Sequence, residues 1–241
     1  MAEREIVVDT PDGAMGTFLV HPDEGVHPLV VFLMDAPGKR ELLHSMARRI
    51  ASHGYYVVLP NLYYRTTDHF ELDWGSEASL QRMGELMYQL GNRMVASDVQ
   101  SLFAYADRDP MAHASRVGVV GYCMSGPFAL WAAAEHATRV RAAASFYGVR
   151  LAVDKRDSPH SRLSEVNAEL YVGAAEFDDW VPLEMVDRFE AALQESGARG
   201  RVERYWGKHH GFAFNDRPAY DPAADRQHWR ALLGLLDRNL H

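Results

Sequence analysis

A single cysteine, Cys123, stands in a chain of 241 residues, so no internal disulfide can form. A free thiol persists in a reducing compartment, and a cytoplasmic location is expected. No apolar run approaches the roughly 18 residues that a membrane span needs. The charged start Met1-Ala2-Glu3-Arg4-Glu5 lacks the apolar core of a signal peptide. No basic block exceeds a pair such as Arg48-Arg49, and the formal net charge is -8. Nucleic acid and acidic membranes are therefore not expected as partners. Internal repeats, low-complexity tracts and linker-like stretches are also missing, so residues 1–241 are expected to form one domain. No histidine stands at ligand spacing with a carboxylate, and no metal is expected.

What is present is an ordinary globular apolar fraction, 47%, arranged in alternating patterns. Glu5–Val8 and Gly16–Val20, around Pro11-Asp12-Gly13, predict an antiparallel hairpin. Pro28–Met34 and Tyr55–Leu59 are continuous apolar runs, as in strands buried on both faces. Between them Leu42, Leu43, Met46 and Ile50 form a helical stripe over Glu41–His53, ended by Gly54. Residues 61–78 have no clear period and predict a loop over a site. Helices are expected over Ser79–Leu90 and Met94–Asp107, the second introduced by Ala96-Ser97-Asp98. Further strands are expected at Arg116–Val120, Val140–Phe146, Leu170–Val172 and Val202–Tyr205. Helices follow at Ser125–His136, Leu183–Ser196 and Pro222–Asn239. This alternation implies an α/β fold, a mostly parallel sheet with helices on both faces. Its ligand site belongs at the carboxyl ends of the strands.

That rule singles out Gly121-Tyr122-Cys123-Met124-Ser125, which follows one strand and opens a helix. A lone free cysteine is ordinarily a small buried apolar residue. In this setting it occupies the nucleophile position of the G-x-Ser-x-G elbow of α/β-hydrolases. The helix N-terminus favours a thiolate there, and the Met124 N–H can serve as an oxyanion donor. Ser125 is the rival nucleophile. It would need small flanking residues and has Cys123 and Pro127, so a packing role in place of the second glycine suits it better.

A thiol nucleophile needs a base and an orienting acid, in the chain order nucleophile, acid, histidine. Glu176, Asp178 and Asp179 crowd the loop after Leu170–Val172, and the residues alone leave all three open. His209-His210 follows Val202–Tyr205. Adjacent histidines on an extended chain point to opposite faces, so a shared metal is not expected.

With these residues in place, the chain resembles the dienelactone hydrolase (carboxymethylenebutenolidase) family of the α/β-hydrolase superfamily. The resemblance runs over nearly the whole chain. It rests on the hairpin start, Asn61-Leu62-Tyr63 after Leu59-Pro60, Gly121-Tyr122-Cys123, Asp178 through Val181-Pro182, and His210-Gly211-Phe212. It implies Cys123 as nucleophile, His210 as base and then acid, and Asp178 as orienting acid. It also implies a carboxylate near the thiol at Asp35, one methylene shorter than the family's glutamate, and the Ala36 N–H as second oxyanion donor. For a substrate carboxylate it implies Arg82. The family's other arginine position holds Phe214 here, with Arg217 three residues on. Tyr63, Trp180, Phe212 and Phe214 are expected as pocket lining, beside Tyr64 and Trp206.

The activity implied is hydrolysis of a small-molecule ester or enol lactone through a thioester, with no cofactor, by a monomer or homodimer. Two other readings stay open. One is a related esterase or thioesterase with a different substrate, which the Phe214 departure favours. The other is a catalytically silent α/β-hydrolase that binds a small ligand.

Overall fold

A computed structural model describes residues 1–241. The hairpin β1 (Ala2–Thr10) and β2 (Gly13–His21) is followed by β3 (His27–Leu33), α1 (Glu41–Ala51) and β4 (Tyr56–Pro60). Then come α2 (Glu77–Tyr88), α3 (Asn92–Ala106), β5 (Ala112–Tyr122), a 3-10 turn at Cys123–Ser125 and α4 (Gly126–Glu135). The chain continues through β6 (Val140–Phe146), a 3-10 segment at Pro159–Glu165, β7 (Glu169–Phe177), α5 (Leu183–Ser196), β8 (Gly200–His209) and α6 (Pro222–Leu240). All eight strands form one sheet in the order β1-β2-β4-β3-β5-β6-β7-β8. The contacts of β2 with β1 and with β4 are antiparallel, and every other pairing is parallel. The expected α/β-hydrolase architecture, with an antiparallel N-terminal hairpin on a mostly parallel sheet, is what the chain forms.

Local chemistry accounts for the elements. In β3 every residue after His27 is buried, as a continuous apolar run requires in a sheet covered on both faces. α1 buries Leu43, Met46, Ala47 and Ile50 along one stripe. It packs with α6 beneath one face of the sheet, where Arg49 lies over the Trp229 ring at 4.2 Å. α3 and α4 pack against each other on the other face. α4 is buried from Gly126 to Ala134, so it reads as apolar all round rather than amphipathic. No helix is long and apolar enough to cross a membrane.

Two expectations need correction. α3 begins at Asn92 with Gly91 as its cap, so Ala96-Ser97-Asp98 lies inside the helix. The carboxylate that resembled a cap is instead buried. It accepts hydrogen bonds from Tyr64 Oη (2.8 Å) and from both terminal nitrogens of Arg65 (2.6 and 3.0 Å), tying down the 61–76 loop. The strands β5, β7 and β8 also outrun their apolar cores. β8 is an edge strand whose polar residues stay partly exposed while its backbone pairs with β7, so hydrophobicity does not mark its ends.

Because β3, β5, β6, β7 and β8 run parallel, their carboxyl ends deliver five connections to one edge of the sheet. Asp35-Ala36 follows β3, Cys123 follows β5, Tyr147–Arg150 follows β6, Asp178 follows β7 and His210 follows β8. The site is built there.

Candidate active site

Cys123 sits on a backbone with φ +52°, a left-handed conformation that costs an L-residue energy and marks functional positions. Two glycines make that turn possible. A Cβ on Gly121 would lie 2.2 Å from the Ser125 carbonyl oxygen, and one on Gly126 would lie 2.5 Å from the Gly148 Cα. The elbow can fold this tightly only with no side chain at either place. Ser125 completes the lock. It is fully buried, its hydroxyl accepts the Tyr122 N–H at 2.9 Å, and it lies 3.1 Å from the Leu33 carbonyl. Ser125 thus joins the elbow to β3 and stays off the cavity wall, where Cys123 is present.

His210 lines the same cavity of about 220 Å³. Its Nδ1 donates to Asp178 Oδ2 at 2.6 Å, and the Asp178 side chain is completely buried. Asp178 Oδ1 accepts the Trp180 N–H at 2.9 Å, which fixes the carboxylate for the imidazole. The two neighbouring acids are otherwise placed. Glu176 accepts the Gly207 N–H at 2.5 Å, and Asp179 is exposed. Burial would lower the His210 pKa. The Asp178 carboxylate and the Cys123 sulfur more than reverse this and raise it to about 9. His209 turns outward, against Phe177 at 5.0 Å. No three His, Cys, Asp or Glu side chains gather as metal ligands.

The oxyanion candidates share one brace. The Tyr63 hydroxyl donates to the Ala36 carbonyl at 2.7 Å and lies 3.4 Å from Met124 Sδ. Ala36 lines the cavity, and its N–H finds no acceptor within the chain. Asp35 is fully buried between two arginines. Arg40 Nη1 donates to Oδ1 at 2.5 Å, and Arg217 Nη2 to Oδ2 at 2.6 Å. No hydrogen bond joins Asp35 to Cys123 or His210. The short carboxylate is held by guanidiniums rather than by the thiol.

The remaining expected pocket residues divide. Trp180 lines the cavity, with Pro37, Trp74, Met83, Met87, Tyr88, Val149, Arg150 and Arg217. Tyr63, Phe212 and Phe214 do not, because all three are core residues. Phe212 stacks on Tyr205 at 4.3 Å. Phe214 lies beneath the Arg40 and Arg217 guanidiniums at 5.5 and 5.6 Å. Tyr64 is buried at Asp98, and Trp206 is exposed away from the cavity wall. Arg82 stands on the outer face of α2, paired with Glu85 at 3.1 Å. The face of α2 turned to the cavity carries Met83 and Met87 instead, one helical turn apart.

Residues 15–240 match the model of the dienelactone hydrolase family. A Synechocystis protein named "Putative carboxymethylenebutenolidase" is 26% identical over 219 residues, covering 90% of this chain and 88% of its own length. A Bradyrhizobium protein named "Probable 2-oxo-3-(5-oxofuran-2-ylidene)propanoate lactonase" is 26% identical over 243 residues, 97% of this chain and 95% of its own. The crystal structure titled "Putative Dienelactone Hydrolase", from Klebsiella pneumoniae, shares the fold with a TM-score of 0.87 at 21% identity and covers 98% of both chains.

Proposed function

The chain belongs to the dienelactone hydrolase family, and on that premise we propose that it hydrolyses a small ester or enol lactone with Cys123 as nucleophile. One observation carries the reading. The only cysteine occupies a left-handed elbow on a cavity wall beside a histidine that a buried aspartate holds.

These placements support a two-step reaction. The Cys123 thiolate attacks the carbonyl carbon, and the oxyanion rests on the N–H groups of Met124 and Ala36. As the C–O bond breaks, the His210 imidazolium gives its proton to the leaving oxygen. A thioester and a neutral imidazole remain. The sulfur is now uncharged, so its contribution to the raised His210 pKa disappears and the ring stays neutral at lower pH. His210 then takes a proton from water, the hydroxide attacks the thioester, and the C–S bond breaks to regenerate thiolate and imidazolium. Asp178 holds the ring throughout. Good leaving groups suit this sequence, because thiolate itself leaves readily from the tetrahedral adduct. The lactonase activities in the relatives' names fit that preference.

The pH dependence tests these roles. Acylation uses the imidazolium, so kcat/KM for p-nitrophenyl acetate should fall as pH rises through about 9. Deacylation uses the neutral ring, so the acid limb of kcat should lie below that value. Steady-state profiles from pH 5 to 10.5 measure both. An alkaline limb that survives unchanged in His210→Gln would exclude His210 from the proton transfers.

A different substrate from the dienelactones is favoured by two placements. Arg82 is off the cavity, and Phe214 fills a core position where the family resemblance implies a second arginine. Trp74, Met83, Met87, Tyr88 and Trp180 supply an apolar wall that suits a hydrophobic acyl or leaving group.

A further inference from the structure

Three residues other than glycine have positive φ: Cys123 (+52°), Tyr147 (+38°) and Arg150 (+53°). All three stand at the site. Cys123 and Arg150 line the cavity, and Tyr147 packs against the His210 ring at 4.9 Å. An arginine held in a conformation that glycine adopts freely calls for a reason other than local packing. Structural pairing does not supply one. Arg150 is half-buried and borders both this cavity and a smaller one of about 60 Å³ that Asp157 also lines, yet no carboxylate lies within 4 Å of its guanidinium and it makes no side-chain hydrogen bond.

The other cavity arginine is committed differently. Arg217 donates to Asp35 at 2.6 Å, and Arg40 joins Asp35 and Asp216 to it in a cluster of two cations and two anions. Its Nε keeps an unpartnered N–H, but its charge is balanced. No aspartate or glutamate lines the cavity. Arg150 is thus the uncompensated cation of the wall. It is also tied to the nucleophile, because the N–H of the preceding residue, Val149, donates to the Cys123 carbonyl at 3.1 Å.

We propose that Arg150 is the specificity-determining residue of the cavity, selecting reactants that carry a carboxylate near the carbon attacked by Cys123. The proposal builds on Cys123 as the cavity's reactive group, and its test does not require turnover. Cys123 is the only cysteine, so alkylation by iodoacetate and by neutral iodoacetamide reports on this site alone.

The rate ratio of the two reagents should exceed that of a small free thiol. In Arg150→Gln it should fall by about tenfold, the scale of one lost charge-assisted hydrogen bond. Arg150→Lys, which keeps the charge, should stay within about threefold of wild type. An unchanged ratio in Arg150→Gln, or an equal slowing by both reagents, overturns the proposal. Turnover is then compared for mono-p-nitrophenyl glutarate and neutral p-nitrophenyl valerate. A selective loss of kcat/KM for the glutarate in Arg150→Gln agrees with the proposal, and an equal loss for both opposes it. If the alkylation ratio shifts while neither ester is hydrolysed by wild type, Arg150 keeps its role and the hydrolase reading fails.

Discussion

Cys123→Ala should lower kcat for p-nitrophenyl acetate by about 10⁵-fold, the scale on which removal of a nucleophile acts in an assembled triad. The size follows from what remains. His210 and Asp178 can still orient and polarise water, but no group at the elbow can form the acyl intermediate. Ser125 cannot substitute, because its hydroxyl is fully buried and bonded within the elbow. Ser125→Ala makes the converse experiment. It leaves the Tyr122 N–H without its acceptor, at a cost of about 1–3 kcal/mol in stability, while the thiol keeps turnover within about tenfold of wild type by the same energy scale. Steady-state rates of the two variants, with unfolding curves to show that both are folded, separate nucleophile from packing residue. Turnover that survives in Cys123→Ala and vanishes in Ser125→Ala would reverse the assignment.

Asp35→Ala should have the largest effect on stability, about 3–5 kcal/mol. The Asp35 side chain is completely buried, and the Arg40 and Arg217 side chains are 10% and 13% exposed. A buried ion cluster adds little over a well-packed apolar one, but removing its central anion leaves two desolvated cations with only the partly exposed Asp216 to balance them. For a chain of this size the loss amounts to a melting temperature lower by roughly 6–20 °C. Asp35→Asn keeps an acceptor oxygen and should recover part of it. Because Asp35 precedes Ala36, the same change should loosen one oxyanion donor and reduce kcat. Urea unfolding monitored by tryptophan fluorescence measures the first effect. A loss below about 1 kcal/mol would mean that solvent already compensates the two arginines.

The sheet, its N-terminal hairpin and the elbow are legible in the sequence because they rest on period and on local geometry. Apolar runs mark β3, β4 and β6, and Gly121 before Cys123 marks a turn too tight for a side chain. The acid at Asp178 is not legible from residues alone. Glu176, Asp178 and Asp179 are chemically alike, and only the register of β7 with β8 places one of them under His210. Arg82 illustrates the opposite error. Its position along the chain suits a pocket residue, but the face of α2 turned to the cavity carries Met83 and Met87 and leaves Arg82 exposed. Phe212 and Phe214 alternate like pocket aromatics, yet the chain turns them inward beneath Tyr147. Arg150 leaves no signal, since nothing in its residue type announces a left-handed backbone.

Acylation of the elbow sulfur is the central step of the proposed reaction. Acid quenching of the protein during turnover of p-nitrophenyl acetate, followed by peptide mass spectrometry, tests this directly. One acetyl group should appear on the peptide at Cys123, accumulating further in His210→Gln if that variant is first charged with excess ester, and sensitive to hydroxylamine as a thioester is. Acetylation of Ser125, or full turnover with Cys123 unmodified and dispensable, would contradict this reaction.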